Sequence, residues 1–218
     1  MRDFNKIVKD VARLKWSTVI LEESFSEVEE AVKLAIKQAN SFIFGLADFP
    51  FRYKKGGTMN ASGAFAAPNG NICDIWLADG RQHLTNILPQ DSDLLDMSFR
   101  GMPQKYWLDF GDDGAIIHLW PVPDKTYTVF YRYVNACKAK DAAGNEKFNL
   151  EEPTDVVNLP NNPVLEDYYM HCLYTKAMVY LIADEQDENY RPYEKEFLEA
   201  YHNLLSYSGV QMNPKLVI

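Results

Sequence analysis

The sequence offers few of the side-chain combinations that catalyse reactions or bind metals. No nucleophile elbow, phosphate-binding glycine loop or dinucleotide fingerprint is present. The three cysteines are widely spaced and indicate buried, reduced thiols instead of disulfides or a zinc site. The histidines are isolated from one another and from carboxylates at ligand spacing: His83, His118, His171 and His202. We therefore expect a protein that is not an enzyme and that uses neither a cofactor nor a metal.

The most concentrated basic spot consists of Arg52, Lys54 and Lys55. Basic side chains at this spacing are suited to contact phosphate, either on DNA or on a partner molecule. A solvated loop beside a turn has the same composition. Both interpretations stay open at this point.

Aromatic side chains are frequent in the segments that resemble strands, and the relevant ones are Trp107, Trp120, Tyr127, Tyr131 and Tyr133. A row of such rings on adjacent strands can stack against sugars. A carbohydrate- or receptor-binding protein is therefore one functional hypothesis. Burial of the same rings in a sheet core is the more common reason for this pattern.

Two amphipathic helices are predicted near the N-terminus. The first spans 3–16, where apolar residues fall at helical spacing. The second is expected to begin at Ser26, which forms a capping box with Glu29, and to stop at Gly45.

The segment between Ala47 and Pro160 is predicted to be rich in β-structure, because turn residues recur and apolar residues alternate or cluster in short runs. A strand is expected at 72–77, and three more at 105–110, 115–120 and 126–134. Short connections suggest that the last three form an antiparallel meander.

The helical pattern resumes after Asn162, a suitable N-cap, with Pro163 at the first helical position. This helix is expected to end near Ala183, and after an acidic turn at 184–188 a last helix pairs with it over 192–207. The predicted fold is α+β, in which the N-terminal helices and the C-terminal helix pair form a helical bundle with an inserted antiparallel β region. The expected divisions are N-terminal helices 1–47, β region 48–160, helix pair 161–208 and an extended tail 209–218.

The charge balance argues against a protein that grips DNA. With 31 acidic and 22 basic side chains, the formal net charge is −9, and an acidic surface repels phosphate. The charged first ten residues lack a signal-peptide core, and no apolar run has the length of a membrane span. We expect a soluble protein made in the cytosol.

Several phrases resemble the head-to-tail adaptor proteins of short-tailed bacteriophages, also described as tail-tubular, gatekeeper or connector-ring proteins. The phrases are IIHLWPVPDKTYTVFYRYV, LPNNPVLEDYYMHCLYTKAMVYL and YRPYEKEFLEAYHNLL, with AVKLAIKQANSFIFG and LTNILPQDSDLLDM upstream. Together they extend the resemblance from about Ser26 to Tyr207. The first twenty residues and the loop from Phe51 to Asn71 match no phrase of that family.

The resemblance implies a structural virion protein at the head–tail junction, assembled in the host cytoplasm. It implies a ring, typically of twelve copies, with the portal protein on one side and a further tail protein on the other. DNA would pass through the ring without specific binding, which agrees with the acidic composition. Ring closure requires two different patches on each subunit. The apolar C-terminal residues Leu216, Val217 and Ile218 are candidates for an intersubunit or portal contact, with a frayed end as the alternative.

Overall fold

A computed structural model describes residues 2–15, 18–56, 59–61, 63–111, 114–182 and 190–210. The described residues contain five α-helices: α1 (Phe4–Lys15), α2 (Thr18–Leu46), α3 (Pro89–Ser92), α4 (Pro163–Leu181) and α5 (Tyr190–Ser208). They also contain thirteen strands: β1 (Tyr53–Lys55), β2 (Met59–Ala61), β3 (Phe65–Ala66), β4 (Gly70–Leu77), β5 (Thr85–Asn86), β6 (Arg100–Gly101), β7 (Lys105–Gly111), β8 (Gly114–Trp120), β9 (Val122–Pro123), β10 (Tyr127–Asn135), β11 (Ala139–Lys140), β12 (Glu146–Lys147) and β13 (Val156–Val157). The fold class is α+β, as the sequence predicts.

The chain divides into two compact units. One contains Met1–Phe51 together with Cys137–Ile218 and is called the helical unit below; the other, Arg52–Ala136, is called the β unit. Each unit has a hydrophobic core of its own.

The core of the helical unit forms where the apolar faces of α1, α2, α4 and α5 meet. Helix α2 packs on α1 and α4, and α4 packs on α5. The spacing of three and four residues in α1 buries Ile7, Val8 and Val11 on a single side. In α4 almost every side of the middle turns is buried, which explains its nearly continuous apolar sequence.

Helix α2 begins at Thr18, so the capping box predicted at Ser26 is wrong. No glycine or proline lies between Thr18 and Ile43 to interrupt a helix. Glu29 pairs instead with Lys33, one turn later, at 2.9 Å, as expected within a helix.

The start of α4 agrees with the sequence. The Asn162 side chain accepts hydrogen bonds from the backbone N–H groups of Val164 and Leu165, both at 3.1 Å. Pro163 occupies the first turn, where its missing N–H costs no helical hydrogen bond. The acidic turn predicted at 184–188 lies outside the described residues.

The segment 137–160 belongs to the helical unit, although its composition predicts that it is part of the inserted region. Its strand β11 pairs with β12 and β13 in a small antiparallel sheet. Ala139, Leu150, Val157 and Leu159 from this segment are buried in the same core as the helices. Apolar burial thus attaches the segment to the helices in spite of its polar composition.

Two sheets pack face to face in the β unit. In the first sheet, β4 lies along one edge of β10, while β1 and β2 follow one another along the opposite edge. The second sheet has the order β3-β8-β7-β5. Ile75 and Val129 of the first sheet share one core with Ile117 and Leu119 of the second. The two outer faces therefore point away from each other.

The predicted meander is wrong at its second connection. The β7–β8 hairpin is present as expected, but β10 pairs with β4, β1 and β2 and not with β8. Pro121 and Pro123 in the connection lack the N–H groups that a hairpin ladder needs. The connection instead contains β9, which pairs in parallel with β6.

Candidate functional site

Charged and aromatic side chains lie together on the outer face of the first sheet of the β unit. Along β10, Tyr127 and Val129 are buried in the core, so the alternation of a strand turns Phe130 and Arg132 outward. The pairing register places β1, β10 and β4 side by side. We call this surface the cation–aromatic face: Lys55, Asp74, Trp76, His83, Phe130 and Arg132.

Three rings of the cation–aromatic face form a row. The Trp76 ring lies 5.8 Å from that of Phe130 at an interplanar angle of 25°, and 6.0 Å from that of His83 at 29°. Lys55 Nζ lies 4.9 Å from the Phe130 centroid, and Arg132 Cζ lies 5.8 Å from the Trp76 centroid. Each such cation–π contact contributes about 0.5–1 kcal/mol at an exposed site. The rings therefore hold both cations against the sheet.

The charges on this face do not cancel. Asp74 is engaged by His83, whose Nδ1 lies 2.9 Å from Asp74 Oδ2. Within the part of the chain that the structure describes, no carboxylate forms an ion pair with Lys55 or Arg132. The face thus carries two cations and one carboxylate beside half-buried aromatic rings, an excess of positive charge on a chain with a net charge of −9.

An acidic and apolar segment of the same unit runs from Leu88 to Phe99 and is called the acidic segment below. Its sequence, LPQDSDLLDMSF, has three aspartates and no basic residue. Leu94 is 86% exposed and Phe99 is 54% exposed. Exposed apolar side chains that lie close together along the chain make this segment a candidate interaction surface.

Local hydrogen bonds fix the shape of the acidic segment. The Trp120 indole N–H donates to the Asp96 carbonyl oxygen at 3.1 Å, and the Phe99 ring lies 5.9 Å from that of Trp120. The Asp96 carboxylate accepts hydrogen bonds from the Ser98 hydroxyl and backbone N–H, which lower the pKa of Asp96. The acidic segment therefore has a defined conformation and is held on the second sheet through Trp120.

The cation–aromatic face and the acidic segment lie on the outer faces of different sheets of the β unit. Leu119 points into the shared core, so its neighbour Trp120 lies on the outer face of the second sheet. The acidic segment contacts that outer face. Phe130 and Arg132 occupy the outer face of the first sheet.

The structure does not bring the three predicted basic residues to one surface. Lys55 is exposed and belongs to the cation–aromatic face, whereas Lys54 alternates with it on β1 and is half-buried. Arg52 is half-buried, and its Nε donates to the Asn135 carbonyl oxygen at 3.3 Å. The predicted contact residues Leu216, Val217 and Ile218 lie outside the described residues.

The aromatic residues predicted for sugar stacking do not form an exposed row. Trp107 and Tyr127 are each only 4% exposed. The Tyr127 hydroxyl donates to Asp124 Oδ1 at 2.6 Å, and this bond raises the pKa of Tyr127 to about 12. The rings of Tyr131 and Tyr133 are half-buried and lie 5.8 Å apart.

A second imidazole–carboxylate pair lies on the other sheet of the β unit. The rings of Trp107 and His118 stack at 5.0 Å across β7 and β8, and Asp109 Oδ2 lies 3.1 Å from His118 Nε2 and 3.3 Å from Trp107 Nε1. These contacts fix the ring orientations. The described residues contain no group of three or more histidine, cysteine or acidic side chains that could hold a metal ion.

Neither the models of known protein families nor the curated proteins include a match to this chain. Among the described helices, none combines the length and apolar character that crossing a membrane requires.

Sequence reasoning missed the cation–aromatic face because its members come from separate strands. The alternation that places Phe130 and Arg132 on one side of β10 could be read from the sequence. Nothing local indicates that β4 brings Trp76 beside Phe130, or that β1 brings Lys55 beside Arg132. The acidic segment left a visible signal, the adjacent Leu94 and Leu95 among aspartates.

Proposed function

We propose that this chain is a structural subunit of a connector ring that joins the portal of a short-tailed bacteriophage to its tail. The observation that carries the proposal is the pair of highly exposed apolar side chains on the β unit, Leu94 at 86% and Phe110 at 81%. Exposed apolar patches often mark surfaces that bind other proteins, which supports a role in an assembly. The proposed role is mechanical, and the chain acts through its interfaces.

The family resemblance supplies the identity of the proposed assembly. Its phrases fall on β8 to β10 in the β unit and on α4 and α5 in the helical unit. An α+β chain with a helical unit and a separate β unit offers surfaces of two kinds. One kind would serve the portal protein and the other the next tail component.

The acidic composition supports a role as a DNA conduit. A ring of about twelve such chains carries a formal charge on the order of −100, from −9 per chain. Such a charge disfavours stable contacts with DNA phosphates and lets the duplex slide. We therefore expect no measurable affinity of the ring for double-stranded DNA at physiological salt.

Native mass spectrometry and electron microscopy of the purified chain, alone and with the portal protein of the same virus, test the proposal. The expected result is a closed ring of about twelve copies, either in the free protein or on the portal. A chain that stays monomeric and does not bind the portal would refute it. A portal protein from an unrelated virus is the control for nonspecific adhesion.

A further inference from the structure

We propose that the cation–aromatic face of one chain docks on the acidic segment of a second copy of the same chain. This inference deepens the proposed ring and rests on it, because it identifies the two surfaces through which neighbouring subunits meet. Each surface binds the other one on a neighbouring copy, so no third protein is needed for lateral association.

Charge complementarity is the first argument. Lys55 and Arg132 are exposed and have no ion pair among the described residues. Asp91 and Asp93 are exposed, and no basic residue accompanies them in the acidic segment. Pairing two cations with two carboxylates removes repulsion that each surface would otherwise impose on an identical neighbour.

Apolar complementarity is the second argument. Leu94 follows Asp93 directly, so the most exposed apolar side chain of the segment stands beside its charges. On the other surface, the half-buried rings of Trp76 and Phe130 lie beside Lys55 and Arg132. Tryptophan and arginine around an apolar anchor are the composition of energetic centres in protein interfaces.

Geometry is the third argument. The two surfaces are different in composition and lie on the outer faces of different sheets of the β unit. A contact between two unlike patches is heterologous, and repetition of it produces a ring if the rotation closes. A two-fold contact between equal surfaces would instead oppose aspartates to aspartates, or cations to cations, which costs several kcal/mol.

Charge reversal of the full chain tests the docking. One variant carries Lys55→Glu and Arg132→Glu, and a second carries Asp91→Lys and Asp93→Lys. Each variant alone meets like charges at every contact, so we expect its self-association to weaken by at least about 100-fold relative to wild type. In a 1:1 mixture, an alternating arrangement has only complementary contacts, because the two reversed surfaces meet each other and the two unchanged surfaces meet each other. We expect the mixture to regain assemblies in which the two chains alternate.

Native mass spectrometry with one isotopically labelled chain measures this alternation. The control variant, Lys125→Glu with Lys195→Glu, makes the same change in net charge at two exposed positions outside the face and is expected to assemble normally. Far-ultraviolet circular dichroism establishes that each variant is folded, and recovery in the mixture gives independent proof of folding.

Three outcomes would overturn the docking. Rings that form equally well from either reversed variant would show that these surfaces are not the interface, while the proposed connector function would stand. A mixture that fails to recover, although both variants are folded, would contradict the complementarity. A wild-type chain that remains monomeric with and without portal would refute both the docking and the connector function.

Discussion

The buried contact between Asn40 and Tyr169 provides a direct test of how α2 is held on α4. The Tyr169 hydroxyl donates to Asn40 Oδ1 at 2.7 Å, and both residues are 0% exposed. The amide Nδ2 of Asn40 faces Asn149 Oδ1 at 3.4 Å and the Lys138 carbonyl oxygen at 3.5 Å. The Asn40 side chain, on α2, thus links α4 to the segment that follows the β unit. The Tyr169→Phe substitution removes one oxygen from this network.

The expected cost follows from what the substitution leaves behind. The core loses little volume, but Asn40 Oδ1 becomes a buried acceptor without the hydroxyl that serves it. An unsatisfied buried polar group costs about 1–3 kcal/mol, which exceeds the net worth of an average hydrogen bond. We therefore expect Tyr169→Phe to lower the free energy of unfolding of the helical unit by about 1–3 kcal/mol.

Urea unfolding followed by circular dichroism at a helical wavelength measures this loss, because the four long helices all belong to the helical unit. The adjacent Tyr168 is 37% exposed and supplies a matched control. Tyr168→Phe makes the same chemical change on the same helix and is expected to alter stability by less than about 0.5 kcal/mol. Equal stabilities of the two variants would refute the reasoning. Combining Tyr169→Phe with Asn40→Leu should cost less than the sum of the single changes.

Three further predictions concern packing, pH and backbone approach. Trp107→Ala should lower the free energy of unfolding by about 3–5 kcal/mol in urea, since Trp107 is 4% exposed; unchanged stability with lost glycan binding would instead favour the carbohydrate-binding alternative. Burial acts to raise the Asp155 pKa, but hydrogen bonds from the Glu152 and Glu151 N–H groups and from Lys147 lower it below the usual 3.8. The contribution of Asp155 to the free energy of unfolding is therefore complete above pH 3.8 and is lost as the pH falls below it. The free energy of unfolding of Asp155→Asn should depend less on pH in this acidic range, and an identical dependence would contradict this assignment. Gly70→Ala should destabilise the β unit because the new Cβ would collide with the Val134 carbonyl oxygen, whereas Gly63→Ala, with open space around it, should not; thermal unfolding of both variants distinguishes them.

Local patterns predicted the elements of this fold better than their partners. The strands β7, β8 and β10 lie within one residue of their predicted bounds at each end, because alternation and turn residues are properties of neighbouring positions. The N-cap at Asn162 was predictable for the same reason. The capping box at Ser26 failed, since a favourable local motif does not start a helix that already continues from the preceding residues.

The pairing of strands depends on burial that no short window contains. A meander was the simplest connection for β8 and β10, yet Tyr127 and Val129 are buried against Ile117 and Leu119 across the core instead of beside them in one sheet. Face-to-face packing buries both apolar rows at once, whereas edge pairing would leave one face without a cover. The cation–aromatic face is a result of that choice, because it exists only where β10 lies between β4 and β1.

The way in which the β unit begins and ends favours its use as an interaction module. Tyr53 in β1 pairs with Val134 in β10, so the first and last strands of this unit are hydrogen-bonded neighbours. A unit whose ends meet can be inserted into a helical chain without separating the segments on either side of it. Its core contains none of the residues that form the core of the helices. Charge reversal on its outer faces should therefore change association between subunits while the helical unit keeps its stability.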